Sequence, residues 1–187
     1  MDLDKVINKR KQVTKYSSKK PKIEKIVEII QSANKAFTHG NLHIIKYLIV
    51  ENPELIAKIA EACQQEFIKK VPYVVVLCSD PKQIDKIFDV RAKKYIKHHV
   101  GAAAENFLLK TYDLGLSGNW IGAFSDVTLR NVLEIPEDVE IEMLITVGDG
   151  LKTSKKSKIP SLTTRLFFDT YWNSFHKGIK KVRLEDM

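Results

Sequence analysis

A chain of 187 residues, 44% apolar and 29% charged, suits one domain with a sizeable core and has ordinary globular composition. No apolar run approaches the ~18 residues of a membrane span, and the opening Met1-Asp2-Leu3-Asp4-Lys5 lacks the basic-then-apolar order of a signal peptide. The net charge of +8, from 31 basic and 23 acidic residues, suits an anionic partner, either nucleic acid or a phosphorylated small molecule.

In chain order, Asp4 to Arg10 predicts a short amphipathic helix with Val6 and Ile7 inward. An extended basic segment follows from Arg10 to Tyr16. Lys22 to Ala33 spaces Ile23, Ile26, Val27, Ile29 and Ile30 as one helical face. Asn34 to Asn41 reads as a loop, and Leu42 to Val50 as a buried strand. Asn52-Pro53-Glu54 starts a helix that runs to about Lys69. Tyr73 to Cys78 is a second buried strand, Ser79-Asp80-Pro81 opens another helix, and Val90 to Lys97 is helical or irregular.

Val100 to Leu114 predicts a helix apolar nearly all round, hence buried on several sides. Its run Gly101-Ala102-Ala103-Ala104 is small enough for another backbone to approach, and Gly115 stops it. Leu116 to Phe124 is strand-like, and the small Gly122 and Ala123 leave backbone N–H groups open to a ligand. Ser125 caps a short helix ending at Ile135-Pro136, and Glu140 to Val147 is a third strong strand. Leu151 to Leu162 is a Lys- and Ser-rich loop. The tail from Arg165 to Trp172, with Phe175, carries too many aromatic residues for a solvated arm and must pack on its own domain or a partner. No repeat, linker or boundary divides residues 1–187. Alternating strands and helices predict an α+β or α/β layered domain.

Several chemistries are unsupported. No Gly-x-Gly-x-x-Gly follows a strand, no phosphate-loop Gly-Lys-Ser/Thr occurs, and no Ser or Cys sits in a nucleophile elbow. His98 and His99 are adjacent, so they take different helix faces and do not suggest a shared metal. Cys63 and Cys78 lack metal spacing and lie in apolar patterns, as buried free thiols of a reducing, cytoplasmic compartment would. What remains is two cationic patches, a small-residue strand end and the Gly40-Asn41 turn. An anion gripped between Arg10-Lys11 and Lys156 to Lys158 would account for both patches. The Asn41 amide can donate and accept, as a heteroaromatic ring edge requires.

Four segments, in order, together resemble the flavin-dependent nitroreductase family. Arg10-Lys11-Gln12-Val13-Thr14 resembles its N-terminal phosphate-binding segment, although Thr14 stands where a cation is usual. Gly40-Asn41-Leu42-His43-Ile44-Ile45 is similar to Gly-Asn-x-Gln-Pro-Trp, matching at Gly40 and Asn41 only. Trp120-Ile121-Gly122-Ala123 resembles the strand end that faces the flavin, and Lys156-Ser157-Lys158 the late basic loop. The resemblance implies an α+β nitroreductase-like fold, with a central mostly antiparallel sheet flanked by helices. It also implies an intertwined homodimer, with the small-faced helix in the dimer core and residues 165–187 packed on the partner. FMN would be held by Arg10, Lys11, Gln12, Thr14, Asn41, Trp120, Ile121, Gly122, Ala123, Lys156 and Lys158. NAD(P)H would reduce the flavin, which in turn reduces a nitroaromatic, quinone or related acceptor by a ping-pong scheme. His43 is a possible substrate contact. Two alternatives stand beside this: a same-fold flavoprotein with another redox role, such as dehalogenation, flavin destruction or azoline oxidation, and a basic nucleic-acid-binding domain. The latter needs aromatics interleaved with an exposed basic face.

Overall fold

The computed structural model describes residues 2–151, 160, 162 and 165–173. The chain packs as two compact units, Met1–Thr153 and Ser154–Met187.

The first unit is built on four antiparallel strands in the order β1-β2-β4-β3: β1 is Ile45–Val50, β2 Tyr73–Ser79, β3 Ser117–Ile121 and β4 Glu140–Gly148. It is an α+β fold. Every residue of β2 is buried, because β2 has a strand on either side and helices over both faces. Val75 and Leu77 face a layer containing α2 (Ile23–Ala33) and α5 (Ala92–Asp113). Val74, Val76 and Cys78 face α3 (Pro53–Cys63) and α6 (Asp126–Leu133). Two shorter helices, α1 (Leu3–Lys9) and α4 (Lys82–Phe88), lie against α5.

Local chemistry sets the helix ends. Asn52 Oδ1 accepts from Glu54 N–H at 2.8 Å and Ser125 Oγ from Thr128 N–H at 3.3 Å, each satisfying a donor the first turn leaves open. Gly115 leaves α5 with a φ of +73°, a conformation that suits glycine.

Two features bend the regular pattern. Leu77 pairs with Met143 but Cys78 with Ile141, so Glu142 is the extra residue of a β-bulge. The basic segment after α1 also straps the sheet end. Gln12 bridges Gly118 and Tyr16 bridges Gly150, and the Tyr16 hydroxyl lies 2.8 Å from Thr146 Oγ1. Burial pushes the Tyr16 phenol up to about 12, against the opposing effect of that hydrogen bond.

Several expected boundaries move. Ile7 is 52% exposed and only Val6 of α1 is buried, because so short a helix, about two turns, offers one inward position to α5. Ile23 and Val27 lie outside the buried face of α2, which is made by Ile26, Ile29 and Ala33. The first strand begins at Ile45, not Leu42, and its burial alternates because β1 is a sheet edge. The helix after Asn52 stops at Cys63, where Gln64 turns left-handed (φ 53°), and a 3-10 turn covers Glu66–Lys70. The long helix α5 starts at Ala92. Its buried residues form one stripe, Ala92, Ile96, His99-Val100, Ala103-Ala104, Phe107-Leu108 and Thr111, instead of covering several sides. A Cβ at Gly101 would meet nothing within 4 Å, so among the described residues no backbone uses that small residue for a close approach.

In the second unit, the described rings of Phe167, Tyr171 and Trp172 pack on one another with centroids 4.7–5.6 Å apart. Phe175 and the rest of the tail lie outside the described residues.

The strap crosses the sheet end at Gly148. A Cβ there would come within 2.8 Å of both Pro72 Cδ and Tyr16 Cδ1. Gly148→Ala is therefore expected to destabilise the protein by about 1–3 kcal/mol, the usual range for overpacking. Urea unfolding measures it.

Candidate functional site

The strand pairing defines two ends of the sheet. Ser117, Gly148, Tyr73 and Val50 mark one, and Ile121, Leu144, Ser79 and Ile45 lie toward the other. Helix α5 spans the distance. Near its start Lys97 Nζ pairs with Glu142 Oε2 at 2.5 Å, and farther along Glu105 pairs with Arg10.

The basic segment lies at the first end. Arg10 Nε is 3.2 Å from Glu105 Oε1, but the atom is buried and its N–H finds no aligned acceptor. That leaves a guanidinium donor without a hydrogen-bond partner, although buried donors are ordinarily satisfied. Lys11, Gln12 and Thr14 are exposed beside it, while Val13 points inward toward Gly150. Gln12 is anchored at Gly118, near the start of β3.

Trp120 and Ile121 end β3. Trp120 packs against the core on the α5 side and Ile121 is buried on the other, whereas Gly122 and Ala123 emerge exposed just past the last paired residue. A strand rises ~3.4 Å per residue, so Gly118 and Gly122 stand ~13 Å apart on one rigid element.

The Gly40-Asn41 turn lies elsewhere. His39–Asn41 forms a 3-10 turn with Gly40 at φ 62° and Asn41 at φ 56°, and Gly40 touches the Phe88 ring of α4. His39 stacks on Tyr95 of α5 at 4.0 Å, ten residues before Glu105. At ~1.5 Å rise per residue the turn and Arg10 meet α5 ~15 Å apart. The described residues thus bring Arg10, Lys11, Gln12 and Thr14 to one strand with Trp120–Ala123. They do not bring Asn41 or His43 to that group within the chain. Lys156 and Lys158 lie outside the described residues.

Three features escaped sequence reasoning. One is Glu105 as the partner of Arg10. Another is Glu142, which the bulge turns into a cleft of about 370 Å³ lined by Lys93, Ile96, Lys97, Ser79 and Asp85 among others. Its carboxylate is only 3% exposed, accepting from Ser79 Oγ at 2.7 Å as well as from Lys97. The third is a cluster of His39, His43, His98 and His99, visible in the sequence only as two separated pairs. The thiols of Cys63 and Cys78 are buried and free, and burial pushes each up to about 11. Neither is poised as a nucleophile at neutral pH. Among the described residues no helix is long and apolar enough to cross a membrane.

Comparison with known proteins fits this geometry. The profile described as the nitroreductase family matches residues 62–149, from the end of α3 through β4. Over that stretch the chain resembles the nitroreductase family. A protein of Archaeoglobus fulgidus that carries the name NADH dehydrogenase/NAD(P)H nitroreductase is 27% identical over 149 residues, spanning 77% of this chain and 83% of its own. The crystal structure of a nitroreductase family protein from Clostridium novyi superposes with a TM-score of 0.75 at 25% identity, over 94% of this chain and 97% of that one. An NADPH:FMN oxidoreductase from Vibrio harveyi, complexed with NAD+, shares the fold with a TM-score of 0.79 at 20% identity, over 90% and 77% of the two chains.

The Arg10–Glu105 pair joins side chains 30% and 45% exposed, and such half-solvated pairs contribute ~1 kcal/mol or less. Arg10→Ala and Glu105→Ala should each shift the unfolding free energy of ligand-free protein by no more than about that amount. Chemical denaturation of the two variants checks it.

Proposed function

We propose that this nitroreductase-like chain is an FMN-dependent oxidoreductase, working as a homodimer with NAD(P)H as donor and a nitroaromatic, quinone or related small molecule as acceptor. The carrying observation is the arrangement along β3. A part-exposed guanidinium, paired with Glu105 through Nε only, and an exposed lysine lie near one end of the strand, and exposed small residues lie at the other. That suits an elongated ligand with an anionic tail and a flat polar head, which FMN is. The FMN named for the Vibrio harveyi relative supports the choice.

In this reading Arg10 and Lys11 hold the phosphate, Arg10 through its fork of N–H groups and Lys11 as a point charge. Gln12 and Thr14 line the chain behind it, and the sequence resemblance would add Lys156 and Lys158, which lie outside the described residues. At the other end, the backbone of Gly122 and Ala123 approaches the ring where no side chain intervenes, and the Gly122 N–H donates to the ring's redox nitrogen. Trp120 and Ile121, packed on opposite faces of β3, fix that backbone. Asn41 bonds the ring edge, and His43 meets the acceptor. Because Asn41 meets α5 far from Arg10, it serves a flavin held by the other subunit of the dimer. When bound, FMN supplies the redox chemistry, accepting a hydride from the nicotinamide and passing electrons to the acceptor. With one open face and no separate dinucleotide domain, donor and acceptor use the same pocket in turn.

The first test is the visible spectrum of the purified protein, where flavin bands support this reading and their absence with retained nucleic acid would favour the basic-domain alternative. The second is a fluorescence titration of apoprotein with FMN and riboflavin. A charge-assisted hydrogen bond is worth ~1.5–3 kcal/mol, so Arg10→Ala should weaken FMN roughly ten- to a hundredfold and leave riboflavin nearly unchanged. Equal weakening of both ligands would assign Arg10 to the fold. Initial-rate plots at several acceptor concentrations should give parallel lines, and intersecting lines would reject the shared pocket.

A further inference from the structure

Four of the five histidines of the chain meet where the turn His39–Asn41 and the residues after it lie against the first half of α5. His39 stacks face to face on Tyr95, with ring centroids 4.0 Å apart, and stands 5.6 Å from His98. His43 meets His99 edge to face at 6.3 Å. His99 is only 3% exposed, and both its Nδ1 and that of His39 are buried without a hydrogen-bond partner.

We propose that this cluster is an acid-sensitive latch: the neutral imidazoles hold the Thr38–Ile44 segment against α5, and their protonation releases it.

The surroundings give the sign. From the turn come His39 and His43; from α5 come His98 and the phenol of Tyr95; α4 contributes the uncharged Phe88 ring. The carboxylates nearby are committed elsewhere. Asp80, whose N–H meets Ile44 O, turns its carboxylate to Lys82 N–H, and Glu142 of β4 accepts from Ser79 and Lys97. Burial first, and then the positive charges of His43 and His39, hold the His99 imidazole below its usual 6.5; among the described residues no carboxylate contributes. An open turn returns His99 to water and its ordinary value, so the open form binds more protons. The closed form is therefore fully favoured above about 6.5 and loses ground as pH falls from there toward the lowered value of His99. Two imidazolium charges ~6 Å apart, at an effective dielectric constant of ~20, repel by an amount worth roughly a hundredfold in population. Because the turn carries Asn41, opening would also withdraw the ring-edge contact of the proposed flavin site. The latch itself does not depend on that site.

The test is amide hydrogen exchange of the full-length protein as purified, followed by mass spectrometry at about pH 7.5 and about pH 5.5, on either side of histidine titration, with rates corrected for intrinsic exchange. Protection of the peptide covering 36–44 should fall about tenfold or more at the lower pH while that of 53–63 in α3 is unchanged. His39→Gln/His43→Gln, which removes the two turn-side charges but leaves His99 buried, should show a clearly smaller fall between the two pH values than the wild type. If the double variant fails to fold, His43→Gln alone, at an exposed side chain, gives the same comparison with a reduced change. Protection of 36–44 that does not vary with pH, or that falls equally in wild type and variant, overturns the proposal. A loss shared by 53–63 overturns it too, because acid would then be unfolding the whole domain.

Discussion

Seven consecutive residues of β2, Tyr73 to Ser79, have no outside. Each backbone group must find a strand, because water is absent on both faces, and each side chain must find a helix. That constraint fixes β1 and β4 as neighbours of β2 and requires α5 on one face and α3 with α6 on the other. Everything assigned to the site hangs from the consequences. β3 is carried by β4, the strap from Gln12 to Tyr16 is carried by β3 and the residues after β4, and the histidine turn leads directly into β1.

The parts legible in the sequence are those governed by short-range rules. The continuous apolar run of Tyr73–Cys78, the Asn52 and Ser125 caps and the Gly115 stop all appear at or near their expected places. So does the extended basic segment, which bridges Gly118 at Gln12 and Gly150 at Tyr16. What escaped depends on pairing across the chain. Glu142 looks like an ordinary polar position of an alternating strand, and only the register slip between Leu77 and Cys78 turns it into the cleft. Arg10 and Glu105 are ninety-five positions apart, and no local pattern links them. The periodicity of α5 misleads in a different way. Small residues at 101–104 make most of its circumference apolar, whereas burial within one chain follows volume and direction and selects a single stripe. Among the described residues nothing lies within 4 Å of a Cβ at Gly101, which leaves room for the contact that the proposed homodimer would make there.

The family resemblance in the sequence rested on four short segments, and the fold explains why they tolerate substitution elsewhere. At Gly122 and Ala123 the ligand would meet backbone, so side-chain identity nearby is free to drift as long as the strand end stays small. His43, Ile44 and Ile45 replace three residues of the family pattern at once. Ile44 and Ile45 are 4% and 7% exposed and join the α5-side core, so those two replacements rebuild packing around a turn that now leans on histidines.

One helix therefore carries two dissimilar contacts. His99 and Glu105 are six residues apart on α5, ~9 Å along its axis and nearly two turns, and the face between them is anchored by Val100, Ala103 and Ala104 against the sheet. A helix pinned along its length moves as a unit. A charge change at the His99 end would therefore loosen the turn, the less anchored partner, instead of bending α5 and disturbing Arg10. The phosphate contact would persist while the ring-edge contact is lost. In acid the protein would then hold its cofactor by the tail and present a more open ring.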